Sequence, residues 1–238
     1  MSVHEPSLSS AAAPPRKGAL LIDVGGVLVR EYLPGAADHW GARLGLSQRA
    51  FLRAMFEGND DGVLVGRVSA DAWWRVIQER LGVGAGLIAE IRDDLAARET
   101  WDPELVARLR ELRELRGAAG GAGAVAPAPR VPVVVVSNTW PGLRERMAAG
   151  GLLDLADHLV LSCEVGCAKP DRRIYELALE RAGAEPELSL FIDDVAANAD
   201  AAAALGMAGH VHTGTRDTLA RIDAFVRERG RRARSGRS

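Results

Sequence analysis

Gly18-Ala-Leu-Leu-Ile-Asp23-Val-Gly-Gly-Val-Leu28 decides the fold. An apolar run without polar alternation reads as a strand covered on both faces, and this one ends on a carboxylate followed by two glycines. Val131-Pro-Val-Val-Val-Val-Ser137-Asn138-Thr139 repeats the plan with β-branched residues and closes on hydroxyl and amide groups. His158-Leu-Val-Leu-Ser162 leads to Ala168-Lys169-Pro170-Asp171, and Leu188-Ser-Leu-Phe-Ile-Asp193-Asp194 ends on adjacent carboxylates. Helical patterns separate these runs, which gives an α/β fold with a doubly wound, parallel, Rossmann-like sheet. The carboxyl ends of such strands share one edge. Asp23, Ser137, Lys169 and the pair Asp193-Asp194, distant in the chain, can therefore converge on one crevice.

Lys169 stands out by rarity. Of the 30 basic residues only Lys17 and Lys169 are lysines, so basic positions otherwise default to arginine. A compact ammonium on a flexible stem neutralises charge at a point in a crowded pocket, where a planar guanidinium does not fit as well.

The segment between Leu28 and Arg116 turns helical. Ser69 sits in N-cap position before Trp73, Trp74, Val76, Ile77 and Leu81 at helical spacing, and Gly82 ends the pattern. Residues 50–56 and 87–97 also read as helices, and Asp102-Pro103 opens another with Leu105, Leu109 and Leu112 on one stripe. Further helices are expected at 143–149, 172–182, 196–205 and 217–227. The organisation expected is a flexible leader at 1–17, a core domain of 18–30 and 100–228, a helical unit at 31–99, and a flexible basic tail at 229–238. Within the core domain, residues 117–130 form a Gly/Ala/Pro-rich insertion of low complexity.

Composition narrows the class. With 238 residues and 47% hydrophobic content the chain can bury a large core, and a net charge of −2 gives no general attraction to nucleic acid or anionic membranes. No apolar run is long enough to span a bilayer and no signal pattern opens the chain, so a cytoplasmic protein is expected. Cys163 and Cys167 lack the partners of a zinc site and read as reduced thiols beside the lysine loop. His39, His158, His210 and His212 show no mutual ligand spacing; Trp73 and Trp74 read as packing within the helical unit, with one facing the substrate as the alternative, and Trp140 reads as packing, with the mouth of the pocket as the alternative.

The segments Asp23-Val-Gly-Gly-Val-Leu, Val-Ser137-Asn138-Thr, Ala-Lys169-Pro-Asp-Arg-Arg-Ile-Tyr and Ile-Asp193-Asp194-Val-Ala-Ala-Asn resemble the ordered motifs of the haloacid dehalogenase-like hydrolases. The likeness runs over residues 18–228 and is closer to the subfamily with a small helical cap inserted after the first motif, which includes many small-molecule phosphatases. It implies Asp23 as nucleophile, with Lys169 offsetting charge and Ser137 and Asn138 holding phosphate oxygens. It further implies Mg²⁺ ligated by Asp23, the Gly25 carbonyl and Asp194, with Asp193 acting directly or through water. The partner implied is a small phosphorylated substrate, not a membrane or a nucleic acid.

The chemistry supports those residue types. A carboxylate is ionised at neutral pH, with a reference pKa of about 3.9, so it can attack phosphorus without a base to activate it. Repulsion is the obstacle: two like charges about 4 Å apart cost roughly 4 kcal/mol at an effective dielectric near 20. An ammonium and a hard divalent cation held by carboxylates remove it.

One position departs from the family pattern. The residue two after the nucleophile is usually a second Asp that protonates the leaving oxygen and then activates water; in this chain it is Gly25. General acid–base catalysis is worth about 10² to 10⁴ in rate, which is roughly 3 to 5.5 kcal/mol of barrier. Glu31, Asp60 and Asp61 are candidates to replace the acid. Three functions follow from the departure. They are a Mg²⁺-dependent phosphatase working through an aspartyl-phosphate, a 2-haloacid dehalogenase in which Asp23 attacks carbon, and a catalytically weak protein that binds a phosphorylated ligand or a partner.

Overall fold

The computed structural model describes residues 17–60, 62–117 and 131–235. Strands β1 (Leu20–Ile22), β2 (Val133–Ser137), β3 (His158–Leu161), β4 (Leu190–Asp193) and β5 (Ala208–Val211) form one parallel sheet in the order β3-β2-β1-β4-β5. Every residue of β1, β2 and β4 is buried, which is why those runs carry no polar alternation.

The helices are α1 (Leu33–Leu44), α2 (Gln48–Phe56), α3 (Ala70–Leu81), α4 (Ala85–Arg98), α5 (Pro103–Gly117), α6 (Leu143–Ala149), α7 (Ser162–Val165), α8 (Arg172–Ala182), α9 (Ala196–Ala204) and α10 (Thr215–Ser235). Alternate strand residues face opposite layers. Leu20, Ile22, Val133 and Val135 meet α5, α6 and α10. Leu21, Val134, Val136 and Phe191 meet α8 and α9. From β1 the chain adds strands on one side, then crosses to β4 on the other, so the strand order reverses between β1 and β4. Ligands of open α/β sheets bind in the crevice outside such a reversal.

Helices α1 to α4 turn their apolar faces toward one another. Trp40, Phe51, Met55, Trp73, Ile77 and Ile91 form a core separate from the sheet's two layers. The chain enters and leaves this helical cluster at one place, where the Arg30 amide donates to the Thr100 carbonyl at 2.9 Å and the Asp102 amide to the Leu28 carbonyl at 2.7 Å. Asp102 ties the junction down. Its carboxylate accepts from the amides of Glu104 and Leu105 at the start of α5, from the Thr215 hydroxyl at 2.7 Å, and from Arg30. Burial alone would raise its pKa, but the donors together hold it below the usual range. Farther along, Gly66 with φ 71° lies against Cys163 so closely that a β-carbon would overlap the Cys163 carbonyl oxygen.

Helix signals in the sequence find their counterparts. The Ser69 hydroxyl accepts from the Ala72 amide at 3.2 Å, and Gly82 closes α3 in the left-handed region with φ 65°. Helix α1 was not anticipated, although Pro34 in its first turn and Gly45 at its end, with φ 68°, are ordinary start and stop signals. A correction concerns the chain end. Instead of stopping at Arg227 and giving way to a flexible tail from 229, α10 continues to Ser235. Arginine is a good helix former, and Arg229 is held in place by donating to the Leu188 carbonyl at 2.9 Å and lying over the Phe225 ring. The leader at 1–16, the insertion at 118–130 and residues 236–238 lie outside the described residues. Among the described residues, no helix is long and apolar enough to cross a membrane.

Candidate active site

The carboxyl ends of β1 and β4 lie side by side, which sets Asp23 next to Asp193. Two buried carboxylates this close require a counter-charge, and Lys169 supplies it from the loop between α7 and α8. Its Nζ is 2.8 Å from Asp23 Oδ2 and 2.6 Å from Asp193 Oδ2, with the lysine and Asp193 side chains fully buried. Each member is oriented by a further contact. The Asn138 amide brackets the lysine's main chain, its Nδ2 donating to the Lys169 carbonyl at 2.8 Å and its Oδ1 accepting from the Lys169 amide at 2.7 Å. Asp193 Oδ1 accepts from the Val195 amide and from Asn198 Nδ2. Asp23 Oδ1 accepts from the Val24 amide at 2.7 Å.

Asp194, more open to solvent, completes the group: oxygen atoms of Asp23, Asp193 and Asp194 lie within 4.8 Å of one another. One ammonium thus pairs with two of three clustered carboxylates. Burial, helped by the Asp193 charge and opposed by Lys169, pushes the Asp23 carboxyl up to about 6. Burial and Asp193 likewise raise Asp194. A cluster with this surplus of negative charge and only hard oxygen donors fits a divalent cation such as Mg²⁺.

The two glycines that follow Val24 differ in kind. Gly26 has φ 69°, and a β-carbon there would overlap the Asp194 carboxylate, so only glycine lets the two acidic loops approach. At Gly25 a β-carbon would meet nothing within 4 Å. A β-carbon at 25 has room.

Gly25 opens instead onto a cavity of about 580 Å³ between the sheet edge and the helical cluster. Its floor includes Ser137, buried at the end of β2, and its wall is aromatic. Trp140, three residues past Ser137, has ring centroids 5.7 Å from both Phe56 and Trp74 and 6.3 Å from Trp73, so a residue of the sheet edge packs into the helical cluster. Tyr32 also lines the space, and burial followed by the charge of Glu99 pushes its hydroxyl up to about 12.

The residues singled out in the sequence divide clearly. Asp23, Lys169, Asp193 and Asp194 meet in one group, with Gly25, Ser137 and Asn138 beside it. The Asn138 side-chain amide is engaged by the Lys169 main chain through both of its polar atoms. Asp193 Oδ2 is held by Lys169 and its Oδ1 by two donors, so its contacts are those of a lysine-orienting group. Of the candidate replacement acids, Glu31 accepts from the Leu33 amide at the start of α1. Asp60 lines a separate polar pocket near Arg67 and Arg173, and Asp61 lies outside the described residues. Glu99 is the one carboxylate among the described residues lining the larger cavity, and Arg146 holds it at 3.0 Å.

The histidines of β5 and its end are structural: His212 Nδ1 and His210 Nε2 face the Thr218 hydroxyl at 2.8 and 3.4 Å. Cys163 and Cys167 are free thiols. Asn198 stood in the sequence only as the end of its motif, one helical turn after the paired acids, with no role assigned, and Phe56, Tyr32 and Arg146 carried no signal for the site.

A family model described as haloacid dehalogenase-like hydrolase matches residues 18–206. The pyrimidine 5'-nucleotidase YjjG of Escherichia coli is 42% identical over 65 residues, covering 26% of this chain and 28% of that protein. The matches span from 5% to 34% of the length of the curated relatives. Among solved structures, an enzyme from Bacteroides thetaiotaomicron in complex with magnesium and inorganic phosphate superposes with a TM-score of 0.63 at 22% identity, over 84% of this chain and 96% of that one. An L-2-haloacid dehalogenase from Xanthobacter autotrophicus, with chloropropionic acid covalently bound, superposes with a TM-score of 0.53 at 20% identity, over 80% of this chain and 75% of that one.

Proposed function

The chain belongs to the haloacid dehalogenase-like hydrolases, and on that premise we propose that it is a Mg²⁺-dependent phosphatase of small phosphorylated molecules, with α1 to α4 as its cap and Asp23 as its nucleophile. The observation that carries this reading is the buried Asp23–Lys169–Asp193 row with Asp194 beside it. A dehalogenase has to bring in a carboxylate substrate, and a third acid at the site repels it; a phosphatase uses that acid to hold metal.

Asp23 and Asp194, with the Gly25 carbonyl, would hold Mg²⁺, which when bound offsets the charge of the phosphoryl oxygens. The protein's own groups do the rest. An Asp23 carboxylate oxygen forms a bond to phosphorus while the bond from phosphorus to the leaving oxygen breaks and its electron pair departs with that oxygen. Lys169, fixed by Asn138 and Asp193, keeps positive charge beside the nucleophile as negative charge gathers on the phosphoryl group. Ser137 at the pocket floor takes a phosphate oxygen. Water then attacks the aspartyl-phosphate, orthophosphate leaves, and the Asp23 carboxylate is restored. With glycine at 25, the leaving oxygen takes its proton from solvent and the attacking water lacks a base.

The test is release of orthophosphate from a panel of phosphate esters and acetyl phosphate. Activity that disappears with chelator and with Asp23→Asn supports the proposal. Gly25 also favours a second reading, dehalogenation, since a departing chloride needs no proton. Metal-independent chloride release from 2-chloropropionate, without phosphatase activity, would put that reading first.

A further inference from the structure

We propose that the ester this protein dephosphorylates carries a flat apolar group, an aryl or similarly conjugated alcohol, seated against Trp74, Trp140 and Phe56. The assignment rests on the phosphatase reading above and names its substrate class.

Two independent observations meet here. The first is the cavity itself, whose floor at Gly25 and Ser137 adjoins the reacting atoms and whose wall carries those three rings. Phe56 and Trp74 each stand 5.7 Å from Trp140, and all three rings stay partly exposed toward the same space. Large apolar rings left partly open around one cavity gain by covering it with another flat apolar surface, in stacked or edge-on contact. Charge on the wall is largely spoken for. Arg146 pairs with Glu99 at 3.0 Å, and Arg92 lies over the Trp74 ring at 5.9 Å and 3.5 Å from Asp71.

The second observation is Gly25. A β-carbon there would meet nothing within 4 Å, yet the position holds no acid to protonate a leaving oxygen. A phenol ionises near pH 10, as tyrosine does, whereas water, which an alkyl alcohol resembles, ionises near 15.7. An aryl oxide therefore departs as the anion, carrying the electron pair of the broken bond to phosphorus and taking its proton from water afterwards. An alkyl ester bears most of the penalty of the missing acid, about 10² to 10⁴ in rate. A pocket for conjugated groups and a site with no acid at position 25 select the same substrates.

The experiment compares kcat/KM of the Mg²⁺-loaded protein for 2-naphthyl phosphate, glycerol phosphate and acetyl phosphate, whose small leaving group needs no acid. Naphthyl phosphate is expected to exceed glycerol phosphate by about 10³-fold or more, and Trp74→Ala to lower the naphthyl-to-acetyl ratio about 10-fold. If Trp74→Ala does not fold, Trp74→Leu serves. Calorimetry adds a readout free of chemistry: phenylphosphonate should bind at least about 10-fold more tightly than methylphosphonate. Acetyl phosphate turnover with naphthyl phosphate no better than glycerol phosphate overturns this assignment alone. So does a ratio unmoved in both Trp74 variants, or equal binding of the two phosphonates. No phosphate released from any compound, acetyl phosphate included, overturns the reaction and the substrate class with it.

Discussion

The two walls of the cavity are built on opposite principles. The sheet edge is a saturated ionic row in which Lys169, Asp193 and Asn138 each have their polar atoms engaged. Opposite it, the helical cluster offers rings in van der Waals contact, with few directional bonds to fix them. A saturated row has one arrangement, and removing a member strands a buried charge, whereas packed rings tolerate exchange at modest cost. Substitutions within the ionic row should therefore strike every substrate alike, and substitutions in the helical cluster should change which substrates enter.

The largest effects test the edge. Asp23→Asn should abolish phosphate release, a loss on the order of 10⁴-fold or more by steady-state kinetics. The same variant should melt higher than the parent in chelator at pH 7. A carboxyl raised to about 6 in the fold is ionised at pH 7 against its environment, so neutralising it removes a cost that is present above pH 6 and absent well below it. A lower melting temperature at pH 7 would contradict this account of the row. Lys169→Met should do the reverse for stability, costing roughly 3 to 5 kcal/mol by denaturant unfolding as two buried carboxylates lose their cation. Comparable losses from Phe56→Leu would erase the contrast between the walls.

Smaller effects sharpen the contrast. Gly25→Asp, its β-carbon entering open space, should raise kcat/KM for alkyl phosphates by about 10- to 100-fold while moving kcat/KM for aryl esters little. It should also remove a phosphoryl-enzyme that accumulates in the parent, read by mass spectrometry after a rapid acid quench. Asp102→Ala, at the junction of the two regions, should cost about 1 to 3 kcal/mol, because it deletes the cap of α5 and strands the Thr215 hydroxyl. Asp102 is held below its unfolded pKa of about 3.9. Its contribution is thus complete above that pH and fades as acid titrates the folded carboxyl, so the parent and Asp102→Ala should converge in stability toward low pH.

The sheet edge was legible in the sequence because its chemistry is written at strand ends, where an apolar run meets a charged or amide residue. Asp23, Lys169 and the pair Asp193-Asp194 needed only the rule that parallel strands share an edge. Their division of labour was not legible. Whether Asn138 faces a substrate or the Lys169 main chain depends on a loop conformation that its neighbours in sequence do not dictate. The helical cluster was legible as helices, through Ser69, Gly82 and the spacing of Trp73 and Ile77, but not as a wall. Ring orientation follows from how α2 and α3 cross over Trp140, and helical period carries no record of that crossing. The extension of α10 was missed for another reason: an arginine-rich end reads as solvated until a partner such as the Leu188 carbonyl is in view.

Main chain rests on main chain where Gly66 abuts the Cys163 carbonyl. Clearance at that contact is set by backbone on both sides, so it does not change with the side chains around it. A single added methyl at that spot would act as a shim against the Cys163 carbonyl and force one of the two segments to give way, which makes the smallest residue in the contact the one that permits it.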